Sequence, residues 1–345
     1  MTLSIDLHMD TPTKGLSSPD FSFSRRNATH HVDLPRLQES GLDAAFFASW
    51  IEPHYQELDG SGFRRAVHLL QLTRDAVEGA EGARIVTSSA QLREASREDE
   101  IGIFLAVEGG HAIQSSLERL ADLADLGMRY MTLTWNHPNA WADACCAPGV
   151  HGGLNSFGRE VIQAMDRLGV FPDLSHAADE TFWDVLDTSQ APPLVTHSCA
   201  RALVDHPRNL TDEMARAVAE KGGILGINFF PAFVDPDFCA ATRALEARLG
   251  PDADWPTRRQ AMGTLPVPSI ERLVDHFHHL AQLAGPEFLA LGSDFDGVVS
   301  LPEPIRDVAD LPLLRERLRD RGFSNDELDG IFGGNFLRML EGVDQ

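Results

Sequence analysis

Eight short apolar runs, rich in β-branched residues and separated by helix-patterned stretches, limit what this chain can fold into. They fall at residues 4–8, 43–49, 101–107, 129–134, 170–174, 194–196, 224–228 and 288–292. The third reads IGIFLAV, a continuous apolar run of the kind found in a strand buried on both faces of a parallel sheet. Three-to-four spacing of apolar residues predicts helices over 63–77, 117–126, 157–168, 180–186, 212–220 and 270–283. Thr211 is placed to cap the fifth of these, and Gly127, Gly169 and Gly222 stand where helices should stop. Strands alternating with helices predict an α/β fold, a (β/α)8 TIM barrel, in one domain over 1–345. The competing open doubly wound sheet is disfavoured, because no GxGxxG follows the first run. Residues 231–268 predict a long, partly helical insertion between the seventh and eighth strands, and a C-terminal helical tail starts at Leu311.

Charge narrows the partners. With 29 Lys and Arg against 52 Asp and Glu, the formal charge is −23. Nucleic acid and anionic membrane surfaces both require clustered cations, so neither is expected as a partner. No run approaches the ~20 apolar residues of a membrane span. The opening MTLSIDLHMD lacks the basic and apolar regions of a secretory signal. Four cysteines without a CxxC pair suit a reduced, cytoplasmic setting.

The chemistry lies at the ends of the runs. The first leads into His8 and Asp10, the third ends at Glu108, the fifth at His176, the sixth at His197, and the eighth at Asp294 and Asp296. A barrel brings these ends together on its C-terminal rim, where barrel active sites sit. A single histidine at a strand end is usually a structural hydrogen-bonder. Three histidines with several carboxylates, all at strand ends, point instead to metal binding, since unpaired buried carboxylates are costly. An imidazole and carboxylate set without cysteine suits Zn²⁺, Mn²⁺, Co²⁺ or Fe²⁺ in an open site. His8 and Asp10, two apart on an extended strand, share a face and can hold one ion. His176 and His197, from neighbouring strands, can hold a second, with Glu108 bridging. Two ions ~3.5–4 Å apart would trap a hydroxide nucleophile. Asp294 would then shuttle the proton. Cys199, two residues after His197, is a weaker nucleophile candidate, and His30, His31, His278 and His279 read as packing or solvated histidines.

Over nearly its whole length the sequence resembles the renal (membrane) dipeptidase family of binuclear zinc peptidases, peptidase family M19. The carrying motifs are DLSH (173–176), THSCARAL (196–203), HPRNLTDE (206–213), EGGH (108–111), GSDFDG (292–297) and GGNFLRML (333–340). The resemblance implies a barrel of the metal-dependent hydrolase type. It also implies two zinc ions held by His8, Asp10, Glu108, His176 and His197, with Asp294 as acid/base. It further implies that Arg208 holds the substrate's C-terminal carboxylate, with Asn209 next to it in the substrate site and helping to orient this loop, and that the protein forms a homodimer. The implied reaction is hydrolysis of dipeptides, including those with a C-terminal D-residue; some members also open β-lactam rings.

Two departures from the family pattern stand out. The first motif is commonly D-G-H-N-D and here reads Asp6-Leu7-His8-Met9-Asp10. After TLT, where many members carry a substrate-contacting His, this chain has Trp135, with His137 two residues on. Trp135 is expected as a pocket wall and His137 as the replacement imidazole. The alternatives to a dipeptidase are another hydrolase of the same scaffold, acting on N-acyl-amino acids, β-lactams or lactones, and a catalytically weak metal-binding barrel.

Overall fold

The computed structural model describes residues 3–56, 59–250 and 253–344. Nine parallel strands lie among them: β1 (Ile5–Met9), β2 (Ala44–Trp50), β3 (Ala83–Ile85), β4 (Ile101–Glu108), β5 (Met128–Thr132), β6 (Phe171–Asp173), β7 (Leu194–Ser198), β8 (Ile224–Ile227) and β9 (Leu289–Leu291). All eight expected runs are strands. The short β3 has no apolar run to announce it, and it pairs only with the first residues of β4, outside the closed circuit. The remaining eight close on themselves in the order β1-β2-β4-β5-β6-β7-β8-β9. β2 and β4 seal that circuit over seven consecutive pairs, Ala44 with Gly102 through Trp50 with Glu108. Closure excludes the open doubly wound sheet.

The helices follow the local signals. Thr211 caps Asp212–Glu220 by accepting from the Met214 N–H. Asn155 caps Ser156–Leu168 in the same way, and that helix stops at Gly169, at φ 65°. The insertion follows β8 and forms helices Pro231–Val234, Pro236–Leu249 and Trp255–Met262. Among the described residues, no helix is long and apolar enough to cross a membrane.

Side chains alternate between two cores. Phe46, Phe104, Ala106, Tyr130, Phe171 and Leu194 fill the barrel, whereas Phe47, Ile103, Leu105 and Met131 pack against the surrounding helices. The same alternation carries β4 from Phe104 and Ala106 to Glu108 on the inner side. Two strands break their register just before the rim, β1 between Asp6 and Met9 and β7 between Val195 and Ser198. His8 and His197 sit in these irregularities. In β1 the break moves Met9 to the outer core, although Ile5 and Leu7 are inner, so His8 takes the inward place.

The C-terminal segment does more than trail from the barrel. Its last helix, Asn335–Val343, closes the floor, with Phe336 meeting Phe46 edge-on at 5.4 Å and Phe171 at 6.5 Å. The glycine of GGNFLRML is required there, because Gly333 has φ 158° and a Cβ would meet the backbone of Leu3, Ser4 and Ile5. Phe336 is fully buried. Phe336→Ala should therefore cost about 3–5 kcal/mol of unfolding free energy, read from the denaturation midpoint at unchanged slope.

Candidate functional site

The rim of the barrel gathers the predicted metal ligands into one buried cluster centred on Glu108. Glu108 Oε1 lies 3.0 Å from His176 Nε2 and 3.7 Å from His197 Nε2, and Oε2 lies 3.7 Å from His8 Nε2. The Nε2 atoms of His176 and His197 are 3.2 Å apart. His8, Glu108 and His197 place ligand atoms within 4.8 Å of one another, as do His8, Asp10 and Asp294. Asp294 thus gathers with His8 and Asp10 rather than standing apart from them.

Each imidazole is oriented through its other nitrogen. The Tyr130 hydroxyl lies 2.8 Å from His8 Nδ1 and donates to the Leu7 carbonyl, so it accepts from Nδ1–H and leaves Nε2 as the lone-pair nitrogen. His176 Nδ1 donates to Asn136 Oδ1 at 2.9 Å. His197 Nδ1 meets Thr196 Oγ1 at 2.7 Å, and that hydroxyl donates to Asp173. Asp173 also accepts from the Thr132 hydroxyl and from the Ser175 and Thr196 N–H groups. On the carboxylate side, Asn228 Nδ2 donates to Asp294 Oδ2 at 2.9 Å.

The backbone is strained where it delivers these groups. His176 and Asp294 have φ of 68° and 62°, left-handed values that L-residues rarely adopt. Thr134 Oγ1 and the Cys145 N–H hold the His176 carbonyl, and the Asp294 N–H donates to the His8 carbonyl. Gly297 lies against both Asp10 and Asp294, and a Cβ there would collide with their carboxylates.

Electrostatics supplies the fit test for a metal. Burial raises the proton affinity of Asp10 and Asp294, and the charge of Glu108 raises it further. Burial holds His197 well below its ordinary value, and burial with the charge of Arg208 takes His176 down to about 3. His8 goes the other way: burial opposes its charge, but Glu108, Asp10 and Asp294 outweigh that and pull it up to about 9. The cluster therefore draws in positive charge. His8 Nε2 and Asp10 Oδ1 are buried without a hydrogen-bond partner. The Nε2 lone pairs of neutral His176 and His197, the orphaned Asp10 oxygen and the excess carboxylate charge fit a divalent cation.

A cavity of about 280 Å³ opens above the cluster, lined by Asp10, Glu108, His176 and Asp294 on its floor and by Trp50, Trp135 and Arg208 among its walls. Arg208 is 3% exposed, donates to Ser198 Oγ and the His197 carbonyl, and leaves Nε without a partner. Its guanidinium lies 5.2 Å from the Phe233 ring.

A model of the membrane dipeptidase family (Peptidase family M19) matches residues 1–345. The chain belongs to the membrane dipeptidase family. It is 30% identical over 326 residues to Dipeptidase 3 of Mus musculus, covering 93% of this chain and 59% of the relative. The chain thus spans about three fifths of the length of the curated relatives it matches. A metallopeptidase from Rhodobacter sphaeroides, solved with a phosphinate mimic of the dipeptide L-Ala-D-Ala, is 26% identical with a TM-score of 0.79, covering 98% of both chains. The fold is shared with the probable dipeptidase PvdM from Pseudomonas aeruginosa, at 23% identity and a TM-score of 0.87 over 99% of this chain and 95% of that one.

Two of the residues expected to contact substrate, His137 and Asn209, stand outside this cavity. His137 does not line the cavity; it is exposed and packs 5.8 Å from Trp135, so it does not replace an imidazole. The polar residue that reaches the cluster from this loop is Asn136, which turns inward between its two neighbours. Trp135 is a cavity wall as expected, tilted against Trp50 at 5.2 Å. Asn209 is not a cavity residue either. Its amide donates to the carbonyls of Val204 and Phe233, tying the Arg208 loop to the insertion. Asp296 lies aside from the cluster, accepting from Thr11 Oγ1 and the His31 N–H.

Tyr130 fixes the His8 tautomer through its hydroxyl alone. Tyr130→Phe should keep the fold and weaken divalent-metal affinity about 10–100-fold in a chelator competition.

Proposed function

We propose that this chain is a zinc-dependent dipeptidase that hydrolyses dipeptides carrying a free C-terminal carboxylate. The reading rests on one juxtaposition: a buried imidazole–carboxylate cluster on the floor of the cavity and, in its wall, a buried guanidinium with no acidic partner among the described residues. His8, Asp10, Glu108, His176 and His197 would hold the ions. Bound there, a divalent ion supplies Lewis acidity toward the scissile carbonyl and lowers the pKa of water.

The protein's own groups do the rest. Arg208 binds the α-carboxylate, which restricts cleavage to short substrates ending beside it. Asp294, its proton affinity raised by burial and by Glu108, takes a proton from the attacking water and returns it to the leaving amine. Asn228 fixes the rotation of that carboxylate. Trp50 and Trp135 cover the reacting bond and limit the water around it. The L-Ala-D-Ala mimic held by the Rhodobacter sphaeroides relative supports including a C-terminal D-residue in the substrate range.

Purified protein should carry about two zinc ions per chain by elemental analysis; none after loading in excess zinc would sink the reading. Asp294→Asn should retain the ions and lower kcat about 10²–10⁴-fold. Loss of an ion together with the rate would instead make Asp294 a ligand, consistent with its nearness to His8 and Asp10. Arg208→Met should lower kcat/KM for free dipeptides about 10–100-fold and scarcely affect C-terminal amides.

A further inference from the structure

The cavity has a second cationic pole that the proposed chemistry does not use. Lys14 stands on the Pro12–Leu16 turn just after β1 and lines the cavity, with Nζ 4.2 Å from the centroid of the Trp50 ring. Arg259, from the insertion helix Trp255–Met262, lines it too and donates to the carbonyls of Gly297 at 2.8 Å and Val298 at 3.4 Å. Neither makes an ion pair among the described residues. That is unusual in a chain with 52 acidic and 29 basic residues. Burial lowers the proton affinity of both, and Asp10 works against that for each. Were Asp10, Glu108 and Asp294 to serve a metal, Lys14 would keep only the more weakly acting Glu52, and Arg259 only Asp296, as counter-charge.

Their position gives the pole a meaning. Arg208 is held at the end of β7, on the His197 carbonyl. Lys14 is held on Trp50, the last residue of β2. In the closed circuit β2 and β7 are four strands apart, on opposite sides of the rim. A dipeptide with its α-carboxylate on Arg208 and its scissile bond over the cluster therefore extends its N-terminal residue toward Lys14 and Arg259. The Trp50 face beside Lys14 suits the methylene stem of such a residue.

We propose that Lys14 and Arg259 form a subsite for a side-chain carboxylate on the N-terminal residue, making dipeptides that begin with Glu or Asp the preferred substrates. This rests on the dipeptidase reading above.

The test compares kcat/KM for Glu-Ala and its neutral isostere Gln-Ala, with Ala-Glu and Ala-Gln as the reversed pair. Wild-type protein loaded with zinc should favour Glu-Ala over Gln-Ala by about tenfold or more, a charge-assisted contact's worth. It should show no such preference between Ala-Glu and Ala-Gln. Lys14→Met and Arg259→Met should each bring the Glu-Ala to Gln-Ala ratio toward one, and Lys14→Arg should preserve it. A ratio within one variant is insensitive to a general loss of activity or of folded protein. A wild-type ratio near one, or a preference confined to Ala-Glu, would overturn the subsite while leaving a dipeptidase. No turnover of any dipeptide by zinc-loaded protein would overturn both.

Discussion

The site depends on one crowded carboxylate. Glu108 brings its two oxygens within 3.0–3.7 Å of three imidazoles, deep in the rim, beside two further acids. Burying such groups is unfavourable unless charge and hydrogen bonds compensate. A divalent cation would supply the charge. The hydrogen bonds come from Tyr130, Asn136 and the Thr196–Asp173 pair, each of which commits the far nitrogen of an imidazole and turns its Nε2 toward Glu108.

Holding that arrangement is the work of the barrel. The β2–β4 seam places Trp50 opposite Glu108, and the wall of the cavity therefore begins on the same rung as the carboxylate at the centre of the cluster. Register breaks in β1 and β7 put His8 and His197 at the axis where plain alternation would not. Left-handed turns at His176 and Asp294 complete the ring, and neighbouring backbone and hydroxyl groups hold them there. Strain accumulates at this rim, whereas the opposite end is a dry floor built by Phe46, Phe171 and Phe336.

The insertion supplies much of the individual character of the cavity. It places Phe233 against Arg208 and Arg259 against the loop after β9. Asn209 fastens it to the Arg208 loop. Arg208 and the roof of the cavity are consequently one mechanical unit, while the imidazole–carboxylate cluster belongs to the barrel beneath.

Local sequence determined a good deal. Apolar runs marked all eight strands of the circuit, because a strand buried on both faces has little choice of residue. Caps and stops such as Thr211 and Gly169 were legible because their effects span one helical turn. The residues of the rim cluster, His8, Asp10, Glu108, His176, His197 and Asp294, could be picked out because chemistry at the end of an apolar run has few structural explanations. What the chain alone did not disclose depends on neighbours distant in sequence. Tyr130 looks like an ordinary barrel aromatic until β1 is placed within reach of its hydroxyl. Asn136 is indistinguishable from Trp135 and His137 until the loop turns it toward His176. Lys14 and Arg259, 245 positions apart, become a single pole only when barrel closure and the insertion bring them to one wall. Periodicity records which face a residue occupies; which partners it meets there is decided by closure of the sheet.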